Sequence, residues 1–388
     1  MLPYITFFSL HGLVALMKRQ SQATIFCFVI LNMYFVGFRY ELGFDWPLYK
    51  QEFEFLKTLG FIEFFSSMPA IQVKYPHEFG FLIFAFLSSK VFFSYELMQA
   101  FLFAVFIASF ISLGRALGTR NIVAAMIVVH LFVLFTLEFS TVRQLLATSL
   151  FNFALASYFN KQRIPLILFT ASVLVQVSAA VYVIAFLFAI GAPKKIWLTT
   201  IVAGAGALAL NSVSFLPYIL NFLPSFASVK LEYYFNDRDY SYNTLEQVFF
   251  AVFFIIVVLF ANLAQTKLTK TEAIQQKFSS TDIALKIVLF LTLVSLAMFF
   301  VNTVRNRMLY ELIILVSLIT FIPNLKYARY MRLVLFSFGG VYLAVSMTKS
   351  LSYMYVPYQN YVFYSVLGYE SDGEERHKKL RRFFRSQR

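Results

Sequence analysis

The sequence predicts an all-α, polytopic integral membrane protein, and three observations carry that prediction. Of the 388 residues 60% are hydrophobic and 13% charged, with mean hydropathy +0.72; soluble domains run nearer about 45–50% apolar and about 25% charged. Apolar runs recur from Leu2 to Met347 with no extended polar block between them. The runs mix Phe, Leu, Ile and Ala with little period-2 alternation, which excludes a transmembrane barrel. At about 20 residues per span, the length holds about ten to twelve crossings. The expected organisation is one membrane domain, 1–356, followed by a basic tail, 357–388.

The runs fall at 2–17, 23–38, 79–113, 121–138, 142–159, 164–190, 196–216, 246–264, 284–302, 307–322 and 333–348. Inside a bilayer each must close its backbone hydrogen bonds as a helix. The first has no basic residue before it and Lys18-Arg19 after it, the reverse of a signal peptide, so it reads as a retained helix with its N-terminus outside. Two runs are too long for one simple span. Segment 79–113 is interrupted by Ser88-Ser89-Lys90 and Ser94-Tyr95-Glu96, and 164–190 carries Gln176 and Ser178 midway, so each reads as a broken pair or a dip.

Net charge is +14, and its distribution is a topology signal rather than a nucleic-acid footprint. Loops 18–22, 114–120, 160–163, 191–195, 265–283 and 324–332 hold 14 Lys/Arg against two acids, whereas 39–78, 138–143, 217–245 and 303–307 hold 9 against 10. The positive-inside rule places the first set in the cytoplasm. That requires 79–113 to cross an odd number of times and 164–190 an even number. The tail resists: Arg376–Arg388 carries seven Lys/Arg, yet strict parity puts it outside.

Two outer loops, 39–78 and 217–245, are long, and long loops in compact proteins tend to carry function. Both mix aromatics with charges, as in Tyr233, Tyr234, Asp237, Arg238, Asp239, Tyr240 and Tyr242. Such faces suit sugar rings, and Tyr and Trp also collect at any membrane interface. Arg39, Arg143, Arg305 and Arg307 lie at outer helix ends, where a guanidinium fork matches a phosphate or pyrophosphate group. Arg307 has Glu311 at i+4 as a ready helical partner. Asp45, in Gly43-Phe44-Asp45-Trp46-Pro47, is a candidate general base, a binding carboxylate or a turn cap. His77-Glu78 is a second acid/base pair just before a helix, where Glu78 also suits the helix dipole.

Cys27 is the only cysteine and the four histidines are widely scattered, so no disulfide or cysteine-rich metal site forms and no metal or cofactor is expected. Walker A, dinucleotide, zinc and nucleophile-elbow motifs are absent from the sequence. Energy for bond-making would arrive in an activated, lipid-borne substrate.

Phe38-Arg39-Tyr40-Glu41-Leu42-Gly43-Phe44-Asp45-Trp46-Pro47-Leu48-Tyr49 resembles the first outer loop of the EpsG-type family of Wzy-like O-antigen and exopolysaccharide polymerases. Glu78-Phe79-Gly80-Phe81 resembles the start of that family's next helix, and Val142-Arg143-Gln144-Leu145-Leu146-Ala147 its "IRQ-x-A" segment. Arg305-Asn306-Arg307-Met308-Leu309-Tyr310 fits a later outer arginine and Val356-Pro357-Tyr358 the terminal pattern. Where the family commonly shows His-x-Ser, this chain has Gln176-Val177-Ser178, and glutamine cannot serve as a base near neutral pH.

The resemblance implies a multi-pass protein of a bacterial inner membrane. It would transfer a growing glycan from undecaprenyl pyrophosphate to the non-reducing end of a lipid-linked repeat unit, beside membrane lipids and a chain-length regulator protein. Asp45, Arg143 and Arg305 would be catalytic. Arg39, Tyr49, His77, Glu78, Gln144, Gln176 and Arg307 would bind substrate. A lipid-linked glycan flippase and an O-antigen ligase are the competing readings.

Overall fold

The computed structural model describes residues 2–16, 21–43, 45–75, 77–191, 244–268, 275–297, 302–325, 327–348, 355, 358–369, 375–379 and 382. They form two compact units, Met1–Ala179 with Leu335–Arg388, and Ala180–Val334. Among the described residues the architecture is all-α, with no strand and one isolated β-bridge, Arg39 to Asn360. The run 196–216, the outer loop 217–245 with its tyrosines, and the pattern residues Val356 and Pro357 lie outside the described residues.

The first unit opens with α1 (Leu2–Leu16) and α2 (Gln22–Asn32), which runs on into a π-helical segment, π1 (Met33–Gly37). Ser21 starts α2 by accepting a hydrogen bond from Thr24 N at 3.1 Å, satisfying one donor that the helix end leaves open. Next come α3 (Trp46–Thr58), α4 (Phe61–Ser66), α5 (Met68–Lys74), α6 (Phe79–Val91) and α7 (Tyr95–Leu117). Then α8 (Ile122–Val133) leads into π2 (Leu134–Glu138), followed by α9 (Val142–Phe159), α10 (Pro165–Val175) and a 3-10 turn, Val177–Ala179. The second unit contains α11 (Ala180–Gly191), α12 (Thr244–Leu268), α13 (Gln275–Ala297) and α14 (Asn302–Thr320). Helix α15 (Ala328–Thr348) begins there and ends in the first unit, where π3 (Val362–Val366) follows.

Beside an apolar core, large apolar side chains face outward and polar ones are buried. Leu13, Phe26, Ile30, Leu166, Ile167 and Leu174 are exposed on their helices, while His11, Asn32, His130, Glu138, Thr148 and Asn152 are buried between them. Apolar surface on this scale is stable against lipid, not water. Among the described residues Tyr95–Leu117 and Ala328–Met347 are each long and apolar enough to cross a membrane alone, and seven shorter apolar helices accompany them.

Contacts sort the helix ends of the first unit. Asn121 Nδ2 donates to Ala15 O at 3.0 Å, joining the end of α1 to the start of α8. At the other end Tyr4 OH donates to Tyr355 O at 2.5 Å, and Ser140 Oγ stands 3.0 Å from Tyr355 OH. The run 79–113 breaks between α6 and α7, where Ser94 accepts from Leu97 N. With 13 residues, α6 is about 20 Å long, short of the hydrocarbon thickness. It starts beside α9 and returns the chain to α3: Lys90 Nζ donates to Lys57 O at 2.8 Å and Leu59 O at 2.6 Å, and Lys50 pairs with Glu96 at 3.2 Å. Of this pair only α7, with 23 residues, is long and apolar enough to cross a membrane alone.

Segment 39–78, expected as a loop, is largely helical. Pro47 sits in the first turn of α3, where its missing N–H costs nothing. Trp46, Tyr49, Phe53 and Leu56 then form one buried stripe with helical period. The C-terminal segment returns to the same end: Tyr361 N donates to Phe38 O at 2.7 Å and Tyr40 N to Gln359 O at 3.1 Å. His377 stacks on Trp46 at 5.8 Å, so the start of the basic tail packs against α3. Gly43, at φ +102°, closes against this end; a Cβ there would lie 2.3 Å from Phe139 O.

Glu54 and Gln162 are both exposed and fall in loops of opposite charge balance. In a Cys27→Ser background, Glu54→Cys is expected to react with a membrane-impermeant maleimide applied from the periplasm, and Gln162→Cys is not. The reverse pattern would overturn the orientation.

Candidate functional site

Helix α3 assembles the site because its period places Asp45, Tyr49 and Glu52 along one side, at i, i+4 and i+7. Tyr49 is buried, and its hydroxyl accepts a hydrogen bond from Arg143 Nε at 2.9 Å. Arg143, in the first turn of α9, also donates from Nη1 to Glu78 Oε2 at 2.6 Å. The Glu78 carboxylate thus holds an arginine; it makes no side-chain cap to α6, although the residue occupies that N-cap position. Arg143 keeps 19% side-chain exposure and Glu78 8%, so the pair is reachable from one side.

Beneath it lies a second pair. His77 stacks on Tyr49 at 5.3 Å and meets Phe81 edge-on at 5.5 Å. Its Nε2 stands 2.8 Å from Glu52 Oε2, but off the axis of a hydrogen bond, so neither group is satisfied by the other. Burial pushes the Tyr49 phenol above its usual range, Arg143 opposes that shift, and Asp45 reinforces it. Tyr49 therefore stays protonated, accepting from Arg143 and keeping its own O–H to donate.

Asp45 is half-exposed at the N-cap of α3 and makes no side-chain cap. Gln144 is buried and accepts from Ser178 Oγ at 2.9 Å through Oε1, so the Arg143-Gln144 segment and the Gln176-Val177-Ser178 segment are neighbours. Gln176 itself is buried, in extended conformation at the end of α10. Gly80 lets α6 approach the end of α10, since a Cβ there would stand 2.7 Å from Leu174 O.

Arg39 lies apart from the Tyr49–Arg143–Glu78 group. It is 1% exposed, donates from Nη1 to Val36 O at 3.1 Å, and places its guanidinium 5.7 Å from the Phe139 ring. Burial lowers its pKa to about 10, which leaves it cationic near neutrality. Arg305 and Arg307 stand in the second unit, in the first turns of α14. The Arg305 side chain is outside the described residues. Tyr182 OH donates to the carbonyl of Arg307. The expected Arg307–Glu311 pair does not form, because both carboxylate oxygens of Glu311 are buried without a partner.

The sequence pattern missed Glu52, although a charged residue on the buried stripe of α3 was a usable signal. It also read the histidines as scattered, whereas the fold brings His11 and His130 edge-to-face at 5.5 Å with both bonded to the Asn32 amide. Among the described residues no group of three or more His, Cys, Asp or Glu side chains could hold a metal ion.

The sequence model of the EpsG family matches residues 22–363, a span that includes every candidate residue above. The chain belongs to the EpsG family. No curated protein and no solved structure matches it. EpsG membership makes it a polymerase-like membrane protein of exopolysaccharide and O-antigen biosynthesis. For this EpsG protein the Tyr49–Arg143 bond is charge-assisted and mostly buried, so Tyr49→Phe is expected to cost about 1–3 kcal/mol. Denaturant unfolding of the purified protein measures it, and a double-mutant cycle with Arg143→Lys should show non-additivity.

Proposed function

We propose that this protein is a polysaccharide polymerase. It transfers a growing glycan from undecaprenyl pyrophosphate to the non-reducing end of a lipid-linked repeat unit, at the outer face of a bacterial inner membrane. The observation that carries this reading is the clamped Arg143. Tyr49 and Glu78 engage two of its five N–H groups and hold the guanidinium plane, leaving three donors for phosphate oxygens.

In this scheme the acceptor hydroxyl attacks the anomeric carbon, the carbon–oxygen bond to pyrophosphate breaks, and the electron pair leaves with the pyrophosphate. Arg143 stabilises that developing charge. Asp45 takes the acceptor proton. In this scheme Tyr49, His77, Gln144 and Gln176, all buried, shape the wall behind Arg143 rather than touch the glycan directly. Lipid tails lie against the exposed apolar helix faces, and a chain-length regulator is a natural partner. No metal enters the scheme.

Deletion of the gene followed by glycan gel analysis is expected to leave one repeat unit per acceptor; loss of all repeat units would instead indicate a flippase or ligase. Arg143→Lys keeps charge but loses the fork, and should shorten the polymer sharply at normal protein level. A general base contributes about 10²–10⁴-fold, so Asp45→Asn should nearly abolish polymer. Activity retained in Asn but lost in Asp45→Ala would make Asp45 a binding group.

A further inference from the structure

Four polar side chains from three helices meet in the interior of the first unit: His11 on α1, Asn32 at the end of α2, and His130 and Glu138 on α8 and π2, all at 0% exposure. Asn32 Nδ2 lies 2.7 Å from His11 Nε2 and 2.9 Å from Phe28 O. His11 Nδ1 lies 2.8 Å from Phe7 O. His130 Nε2 lies 2.7 Å from Asn32 Oδ1, and its Nδ1 lies 2.9 and 2.7 Å from the two oxygens of Glu138.

Donor and acceptor chemistry fixes the protons along this chain. Phe7 O only accepts, so His11 carries its hydrogen on Nδ1 and accepts from the Asn32 amide at Nε2. Asn32 Oδ1 only accepts, so His130 donates from Nε2. One further proton is shared between His130 Nδ1 and the Glu138 carboxylate. Each ring nitrogen and both amide hydrogens of Asn32 are then used. An amide in the middle cannot pass a proton along, so the chain is a fixed tie rather than a proton wire.

The tie joins two π-helical segments at positions that matter for the arginines. Asn32 is the residue before π1, whose Val36 carbonyl accepts from Arg39 Nη1. Glu138 is the last residue of π2. The next residue, Phe139, lies under the Arg39 guanidinium and presents its carbonyl to Gly43. Ser140 Oγ then donates to Phe135 O at 2.9 Å and Thr141 Oγ1 to Thr136 O at 3.2 Å, turning the chain directly into α9 and Arg143. A rotation of π2 would move both arginines together.

We infer that Glu138, acting through His130 and Asn32, is a positioning residue for Arg39 and Arg143. The functional value of that position rests on the anion-binding reading above; the position itself does not. The test uses full-length protein, labelled with ¹⁵N-arginine in nanodiscs, and reads hydrogen exchange of the Arg39 and Arg143 Nε–H groups. Glu138→Ala should speed exchange at both by about tenfold or more, while Glu138→Gln, whose amide can donate to His130 Nδ1, should stay within about threefold of wild type.

Asn32→Ala should speed exchange at Arg39, and it decides the matter if Glu138→Ala does not fold. Ser172→Ala, which removes the 2.8 Å bond to Ala147 O between α10 and α9, should change neither. Unchanged exchange in both alanine variants of the tie, exchange in Glu138→Gln as fast as in Glu138→Ala, or equal loss in Ser172→Ala would overturn the inference. Binding of farnesyl pyrophosphate to the wild-type protein is measured alongside. Its absence would remove the proposed function, while the exchange ratios alone decide the positioning.

Discussion

Inside hydrocarbon no water is present to satisfy a polar group, so every donor and acceptor in the spans must find its partner within the protein. Parts of the chain meet that demand in different ways, while Asn152 and Glu311 are left without hydrogen-bond partners. Lys90 covers the carbonyls at the end of α3, and Asn121 ties the ends of α1 and α8. At the centre, His11, Asn32, His130 and Glu138 satisfy one another. Fully satisfied networks of this kind specify one packing, because any rotation of a helix leaves a buried group unpaired.

The same demand shapes the end that carries Arg39. The two π-helical segments free carbonyls from the regular ladder, and the C-terminal segment answers some of them: Tyr358 OH donates to Phe35 O at 2.7 Å and Asn360 Nδ2 to Tyr34 O at 2.5 Å. The Arg39–Asn360 bridge therefore draws residues 321 positions apart into one floor beneath α3. Glu41 at φ 53° and Gly43 at φ +102° bend the chain over that floor. The bend delivers Tyr49 to the side of Arg143.

The site belongs to a member of the EpsG family and carries Gln176-Val177-Ser178 beside it. The fold shows what occupies that neighbourhood, since Ser178 bonds Gln144 and thereby adjoins Arg143. The imidazole nearest Arg143's clamp is His77, stacked on Tyr49 and facing Glu52. Its burial sets it among the rings around Tyr49.

Composition alone determined the solvent of this protein: so apolar a chain has no stable soluble fold, and in lipid its runs have no alternative to the helix. The motif around Asp45 and the Arg143-Gln144 pair were legible because they interrupt apolar sequence with groups that are costly there. The helical character of 46–74 was present in the period of Trp46, Tyr49, Phe53 and Leu56, but its low overall hydrophobicity concealed it among loop residues. Tertiary structure alone decided which charges meet. Arg143 takes Glu78 from 65 positions away, whereas Glu311, four residues from Arg307, pairs with nothing. Histidines 119 positions apart share one asparagine. Sequence spacing reports neighbours along one helix, and these contacts are made between helices, where packing geometry sets the partner.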